Sequence, residues 1–180
     1  MLKRTLAIAL VVAVLVITGC VSPVAGLKSY TDSLDGYEFL YPNGWVQVRV
    51  AEGPDVVFHD LIEPTENVSV VFSPVPEGQT LTELGSATEI GYKLSKNAIA
   101  PPDSGREAEL VNAGTKTAKD KTYYLLEYAV TLPGGQHRHN LASVAVSRGK
   151  LFTFNVSTTE YRWEEVGDRL KQVVTSFNVY

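Results

Sequence analysis

Two of the chain's three histidines, His137 and His139, flank Arg138 directly after a Pro-Gly-Gly-Gln stretch. Side chains two apart on a strand point to one face. If Arg148-Gly149 is a two-residue hairpin loop, Ser147 pairs with Lys150. Counting outward from that pair sets His137 opposite Glu160, and His139 opposite Thr158 with Glu160 on the diagonal. Two imidazoles and a carboxylate form a candidate metal set, His137, His139 and Glu160, for zinc, manganese or calcium, with water or another carboxylate completing the shell. The same three side chains can instead form a pH-sensitive salt bridge, since a histidine beside a carboxylate protonates more readily. A third reading is two partly exposed histidines near a turn that hold nothing. His59, beside Asp60, carries the same alternatives, and no register places it near the others.

The single cysteine, Cys20, poses a different chemistry. Met1-Leu2-Lys3-Arg4 is basic, Leu6 to Ile17 is an unbroken apolar run, and Thr18-Gly19-Cys20 follows. The run is too short to cross about 30 Å of hydrocarbon comfortably, which takes roughly 20 helical residues, and it suits the apolar part of an export signal. Ile-Thr-Gly-Cys resembles the lipobox of bacterial lipoproteins, in which the cysteine sulfur receives a diacylglyceryl group before cleavage. Cys20 is then the lipid attachment point and the first residue of the mature chain. Each buried methylene contributes about 0.8 kcal/mol, so two acyl chains hold a protein at a bilayer where one would exchange. No thiol remains for a disulfide, a zinc site or a nucleophile.

Lysine and arginine form the third constellation. Alternate turns of a meander lie at one end of its sheet, so Lys119-Asp120 and Arg148-Gly149 sit together, opposite the histidine turn. Lys116, Lys119, Lys121, Arg148 and Lys150 then converge as a candidate docking surface for a negatively charged partner. Such charges set orientation and encounter rate more than affinity. The alternative is ordinary solubilising lysine at exposed turns. Residues 20 to 100 carry 4 basic and 11 acidic side chains, and residues 101 to 180 carry 10 and 9, so the basic groups are concentrated in the second half.

Enzymatic chemistry finds little support. There is no G-x-S-x-G elbow, no phosphate-cradling or dinucleotide glycine pattern and no H-E-x-x-H. The carboxylates are scattered as on a solvated face. No catalytic or cofactor-binding residue is assigned, and no cofactor is required. With Lys3 and Arg4 removed, 14 basic and 20 acidic side chains remain, which disfavours a nucleic-acid partner.

The elements that must position these groups read as α+β, a mainly antiparallel sheet with helices on its faces. Residues 1–19 are the signal peptide, 20–29 an acylated tether, and 30–180 one domain, long enough to fold without metal or disulfide. "YEFLY", Pro42-Asn43-Gly44 and "WVQVRV" read as a hairpin. Strands follow at 55–61 and 67–73. A capping box at Thr80 and Glu83 opens one helix, with Leu84, Ala87, Gly91, Leu94 and Ala98 on its apolar face, ended by Pro101-Pro102. Four meander strands are expected near 106–117, 121–131, 138–147 and 150–158. A final amphipathic helix carries Trp163, Val166, Leu170, Val173 or Val174, and Phe177. Short hairpin connections require antiparallel pairing. Trp45, Trp163, Tyr123, Tyr124, Tyr128 and Phe154 are expected to be core residues.

Four ordered blocks, "DGYEFLYPNGW", "ENVSVVFSPV", "YYLLEYAV" and "RHNLASVAVSRGKLFTFNVSTTEYRW", resemble the PsbP family, the extrinsic proteins of the lumenal side of photosystem II. The similarity spans about residues 30 to 180, and the lipoprotein signal resembles the cyanobacterial members. The resemblance implies an antiparallel sheet sandwiched by helices. It also implies a non-enzymatic accessory protein on the lumenal face of the thylakoid membrane, a monomer when free, that contacts lumenal subunits of photosystem II and aids assembly or stability. Plant PsbP has an extended N-terminal segment linked to calcium and chloride retention, and a short tether occupies that place here, so direct ion retention is not expected. The alternative is a membrane-tethered divalent-metal carrier or buffer.

Overall fold

A computed structural model describes residues 25–180; Cys20 and the signal lie outside the described residues. Ten strands form two antiparallel sheets. β1 (Leu27–Asp32), β2 (Tyr37–Pro42) and β10 (Asn178–Val179) make a small sheet in the order β1-β2-β10. β3 (Trp45–Val48), β4 (Val56–Asp60), β5 (Asn67–Pro74), β6 (Glu107–Ala118), β7 (Lys121–Thr131), β8 (His137–Ser147) and β9 (Lys150–Thr159) make a large one in the order β3-β4-β5-β9-β8-β7-β6. The helices are α1 (Leu81–Leu84), α2 (Ala87–Leu94), continued by a π-helical turn at Ser95–Ile99, and α3 (Glu160–Ser176). The expected α+β class is what the chain adopts.

Strand alternation builds two cores. On one face of the large sheet, Phe58, Phe152, Phe154 and Val156 meet Tyr37 and Phe39 of the small sheet and Leu170, Val173 and Phe177 of the α3 region. Phe154 lies 4.6 Å from Phe39 and 5.1 Å from Phe177 between ring centroids. On the other face, Tyr124, Leu126, Tyr128, Ala142 and Val144 meet Leu81 and Ile90 of the short helices. Tyr123 and Tyr124 are adjacent on β7 and so serve opposite layers. The Tyr123 hydroxyl donates to Asn178 Oδ1 and that of Tyr124 to the Gly85 carbonyl. Each such side chain contributes about 1.5–3 kcal/mol through burial.

The meander matches the expected register. Ser147 pairs with Lys150, and the ladder runs to Arg138 opposite Thr159. Both connecting turns have positive φ at their two central residues, Lys119 and Asp120 at 49° and 63°, Arg148 and Gly149 at 50° and 68°. That backbone matches the right-handed twist of the flanking strands.

Three expectations are corrected. Residues 37–48 are not a hairpin: β1 and β10 occupy both edges of β2, so the Asn43-Gly44 turn carries the chain to the large sheet, where β3 pairs with β4. The sheet begins at Leu27, inside the stretch expected to be tether. The single helix from Thr80 is broken at Gly85, whose φ is 139°, and restarts with a second capping box. There the Ser86 amide donates to Glu89 Oε2 at 2.7 Å and the Glu89 amide to Ser86 Oγ at 3.3 Å.

Candidate functional site

His139 sits at the end of the large sheet where β8 begins. It is 7% exposed, and carboxylates face both its ring nitrogens. Nε2 is 2.8 Å from Glu127 Oε1, and Nδ1 is 3.1 Å from Glu160 Oε2. Trp163 stacks on the ring at 3.6 Å between centroids and 9° between planes. Glu160 and Trp163 are three apart in α3, one turn, and therefore share the face that meets β8. The two contacts clamp the ring between β7 and the first turn of α3, with one carboxylate oxygen at each ring nitrogen.

His137 does not join it. β9 ends at Thr159, opposite Arg138, and Glu160 is the first residue of α3. No β9 position lies opposite His137, whose strand partner is Thr131 of β7, and the turn into the helix directs Glu160 to His139 instead. His137 is exposed on the β7 side, its Nδ1 3.3 Å from Thr131 Oγ1. Glu127 was not foreseen: its register depends on the five-residue loop between β7 and β8, whose conformation spacing alone does not define. The available signal was its being the lone acid among the aromatic and aliphatic residues of β7.

His59, the remaining histidine, has its Nδ1 2.7 Å from the Asp60 carbonyl oxygen. Among the described residues, the acidic or imidazole groups whose ligand atoms gather within 4.8 Å are Asp32, Asp35 and Asp55, none of them in the expected metal set. Each has a role in the fold. Asp32 Oδ1 accepts from the amides of Leu34 and Asp35, Asp35 binds Lys150 at 2.6 Å, and Asp55 accepts from the Tyr37 hydroxyl. Burial first, and then that bond and the Asp55 charge, push the Tyr37 phenol well up.

An ion pair lies beside the histidine site. Glu66 is 2% exposed and accepts from Thr158 Oγ1 at 2.8 Å and Arg162 Nε at 2.6 Å. That hydrogen bond and the Glu66 charge raise the Arg162 guanidinium. Arg138 is held by Ser157 Oγ and the Thr65 carbonyl, and burial lowers it.

At the opposite end stand the five basic side chains. Lys116 Nζ donates to the Thr175 carbonyl at 2.6 Å, and Lys121 Nζ to Ser147 Oγ at 3.0 Å. Lys150 is bound by Asp35 and covers the Phe72 ring at 4.0 Å. Arg148 reaches the Leu34 carbonyl and lies over Tyr180. Lys119 is 75% exposed, with Glu38 3.8 Å away. Four of the five are thus tied into the fold, and Lys119 is the most open to a partner.

Between α2, its π turn and the β5-β9 face runs a cleft of about 470 Å³, lined by Leu94, Ile99, Val71 and Leu151 with Arg106, Asn140 and Asn155. No carboxylate lines it, so it offers no acid–base pair.

The model for the family described as PsbP matches residues 25–179. CyanoP of Thermosynechococcus vestitus is 56% identical, and CyanoP of Synechocystis sp. 46% identical, each over the full length of both chains. The solution structure of the Synechocystis CyanoP superposes with a TM-score of 0.74 at 48% identity, covering 90% of this chain and 96% of that one. Matched from the first strand to the last, and along its whole length to these relatives, the chain belongs to the PsbP family.

Proposed function

We propose that the chain is a lipid-anchored accessory protein of photosystem II, held at the lumenal face of the thylakoid membrane through Cys20. In this reading it supports assembly or stability of the complex by docking, not by catalysis. Membership of the PsbP family, with CyanoP relatives aligned end to end, points to a lumenal protein associated with photosystem II. That match carries the proposal. The basic end is its docking surface, and Lys119 the side chain most available to a negatively charged partner. An anchored protein meets its partner at raised local concentration, so a weak polar contact suffices.

The histidine site is a structural clamp in this reading. A cation there would have to take His139 from Glu127 and Glu160, whose oxygens already face both ring nitrogens.

Affinity isolation of the protein from solubilised thylakoids tests the proposal. Photosystem II subunits are expected to accompany it, less so with Lys119→Glu and undiminished with His137→Ala. Recovery without any photosystem II subunit, or loss with His137→Ala alone, contradicts it.

A further inference from the structure

We propose that the end of the domain from which the tether leaves is a membrane-facing surface, with Leu61, Ile62 and Tyr161 lying in the headgroup region of the bilayer that anchors Cys20. The inference rests on the anchored reading above and adds an orientation to it.

Hydrogen bonds trace this end as one continuous patch. The Gly26 carbonyl, just before β1, accepts from the Asn43 amide at 2.9 Å. The Asn43-Gly44 turn leads into Trp45, which pairs with Asp60. Asp60 Oδ1 accepts from the amides of Ile62 at 2.6 Å and Glu63 at 2.9 Å, and so shapes the loop that displays Leu61 and Ile62. Glu63 and Thr65 of that loop share a hollow with Tyr161, and the Glu66–Arg162 pair ties the loop to the first turn of α3. The start of the domain, the β4-β5 loop and the start of α3 therefore lie together.

Three large apolar side chains stand exposed at this end. Ile62 is 93% exposed, Tyr161 92% and Leu61 63%. Single exposed apolar side chains need no explanation. Here two adjacent aliphatic residues occupy a loop tip where small and polar residues usually stand, and across the hollow lined by Glu63 and Thr65 of that loop is an amphipathic aromatic of the kind enriched at membrane–water interfaces. The carboxylates beside them do not favour an acidic headgroup. Asp60 is engaged by backbone amides, and Glu63 and the half-exposed Glu160 beside Tyr161 add negative charge, so the attraction is apolar and insensitive to salt.

Chain length names the occupant. Cys20 precedes Gly26 by six residues, which span at most about 20 Å. The eleven residues of β8 put the two ends of the large sheet about 35 Å apart. The tether is shorter than the domain, and it leaves from the apolar end. Seating that end on the lipid points the Lys119 and Arg148 turns away from the bilayer.

Coupling the Cys20 thiol of the mature chain to a maleimide lipid in phosphatidylcholine vesicles supplies an anchor independent of natural processing. Hydrogen exchange read by mass spectrometry then compares the anchored chain with the free one. Amides of residues 61–65 and 160–163 are expected to exchange severalfold more slowly on vesicles, at low and high salt alike, while 33–36 and 118–121 are unchanged. The triple variant Leu61→Ser, Ile62→Ser, Tyr161→Ser is expected to lose this protection with its thermal unfolding unaltered. No protection, equal protection at both ends, or protection that survives the triple variant overturns the orientation. The mass of the N-terminal peptide of native protein tests the anchor separately; an unmodified Cys20 there would sink the anchored reading without changing the vesicle result.

Discussion

The imidazole of His139 lies flat against the Trp163 indole, 3.6 Å between centroids, with a glutamate oxygen at each ring nitrogen. The arrangement joins β7, β8 and the first turn of α3, and so fixes the helix against the end of the sheet. Removing the ring leaves Glu127, with a side chain 23% exposed, facing an empty space. His139→Ala is therefore expected to lower stability by about 2 kcal/mol, a charged hydrogen bond together with a desolvated partner. His137→Ala, at an exposed site, is expected to stay within about 0.5 kcal/mol. Urea unfolding of the two variants checks the contrast, and equal losses contradict it.

Glu66 is the buried member of the neighbouring pair. Its replacement by alanine orphans the Thr158 hydroxyl, which is fully buried, and frees Arg162, which is one-third exposed and can turn to water. The expected cost is about 2–3 kcal/mol, below that of a fully buried pair because Arg162 is partly solvated. Glu66→Gln keeps an acceptor for both donors and is expected to recover about half of it. Thermal unfolding of both variants decides; no difference between them contradicts the assignment.

Asp60 gives the stability curve a definite acid limb. Burial alone raises its carboxyl, but the amides of Glu63 and Ile62, the Trp45 side chain and the Arg162 charge outweigh it and leave it below the ordinary carboxylate range. A carboxyl lowered in the folded state stabilises fully above its unfolded value of about 3.9. That contribution is lost as pH falls through the lower folded value. Asp60→Asn is expected to be less stable than wild type at pH near neutrality, with the gap closing in acid. A gap that stays constant on acidification contradicts this account.

Gly36 lets the basic end close. Its φ is 81°, and a Cβ there would stand 2.7 Å from the Arg148 guanidinium and 2.9 Å from the Tyr180 carbonyl oxygen. Gly36→Ala is expected to cost about 1–3 kcal/mol through backbone strain and to displace Arg148 from Tyr180. Chemical denaturation reads the cost, and an unchanged midpoint contradicts it.

How far residues reveal structure depended on which constraint set each feature. The β8-β9 register was legible because a two-residue Arg148-Gly149 turn leaves one way to pair, and that register brought Glu160 near His139. Glu127 stayed hidden behind the longer β7-β8 loop. The helix break at Gly85 was written in the sequence as Ser86 and Glu89, a second capping box, but the apolar spacing of Leu84, Ala87 and Gly91 runs straight through it. β1 and β10 were missed for a different reason. β1 has no fully buried residue and β10 has two residues, so neither carries a clear burial pattern. Without them β2 has no visible partner except β3, and a short turn that crosses between sheets resembles that of a hairpin.

Lys119 and Ile62 mark the two ends of the account, one directed at a protein and the other at lipid. A photo-crosslinking residue placed at position 119 in one strain and at position 62 in another, illuminated in intact thylakoids, measures what each touches. The account predicts adducts with a lumenal subunit of photosystem II from position 119 and with lipid from position 62. Adducts with photosystem II from position 62 alone, with none from position 119, would contradict it.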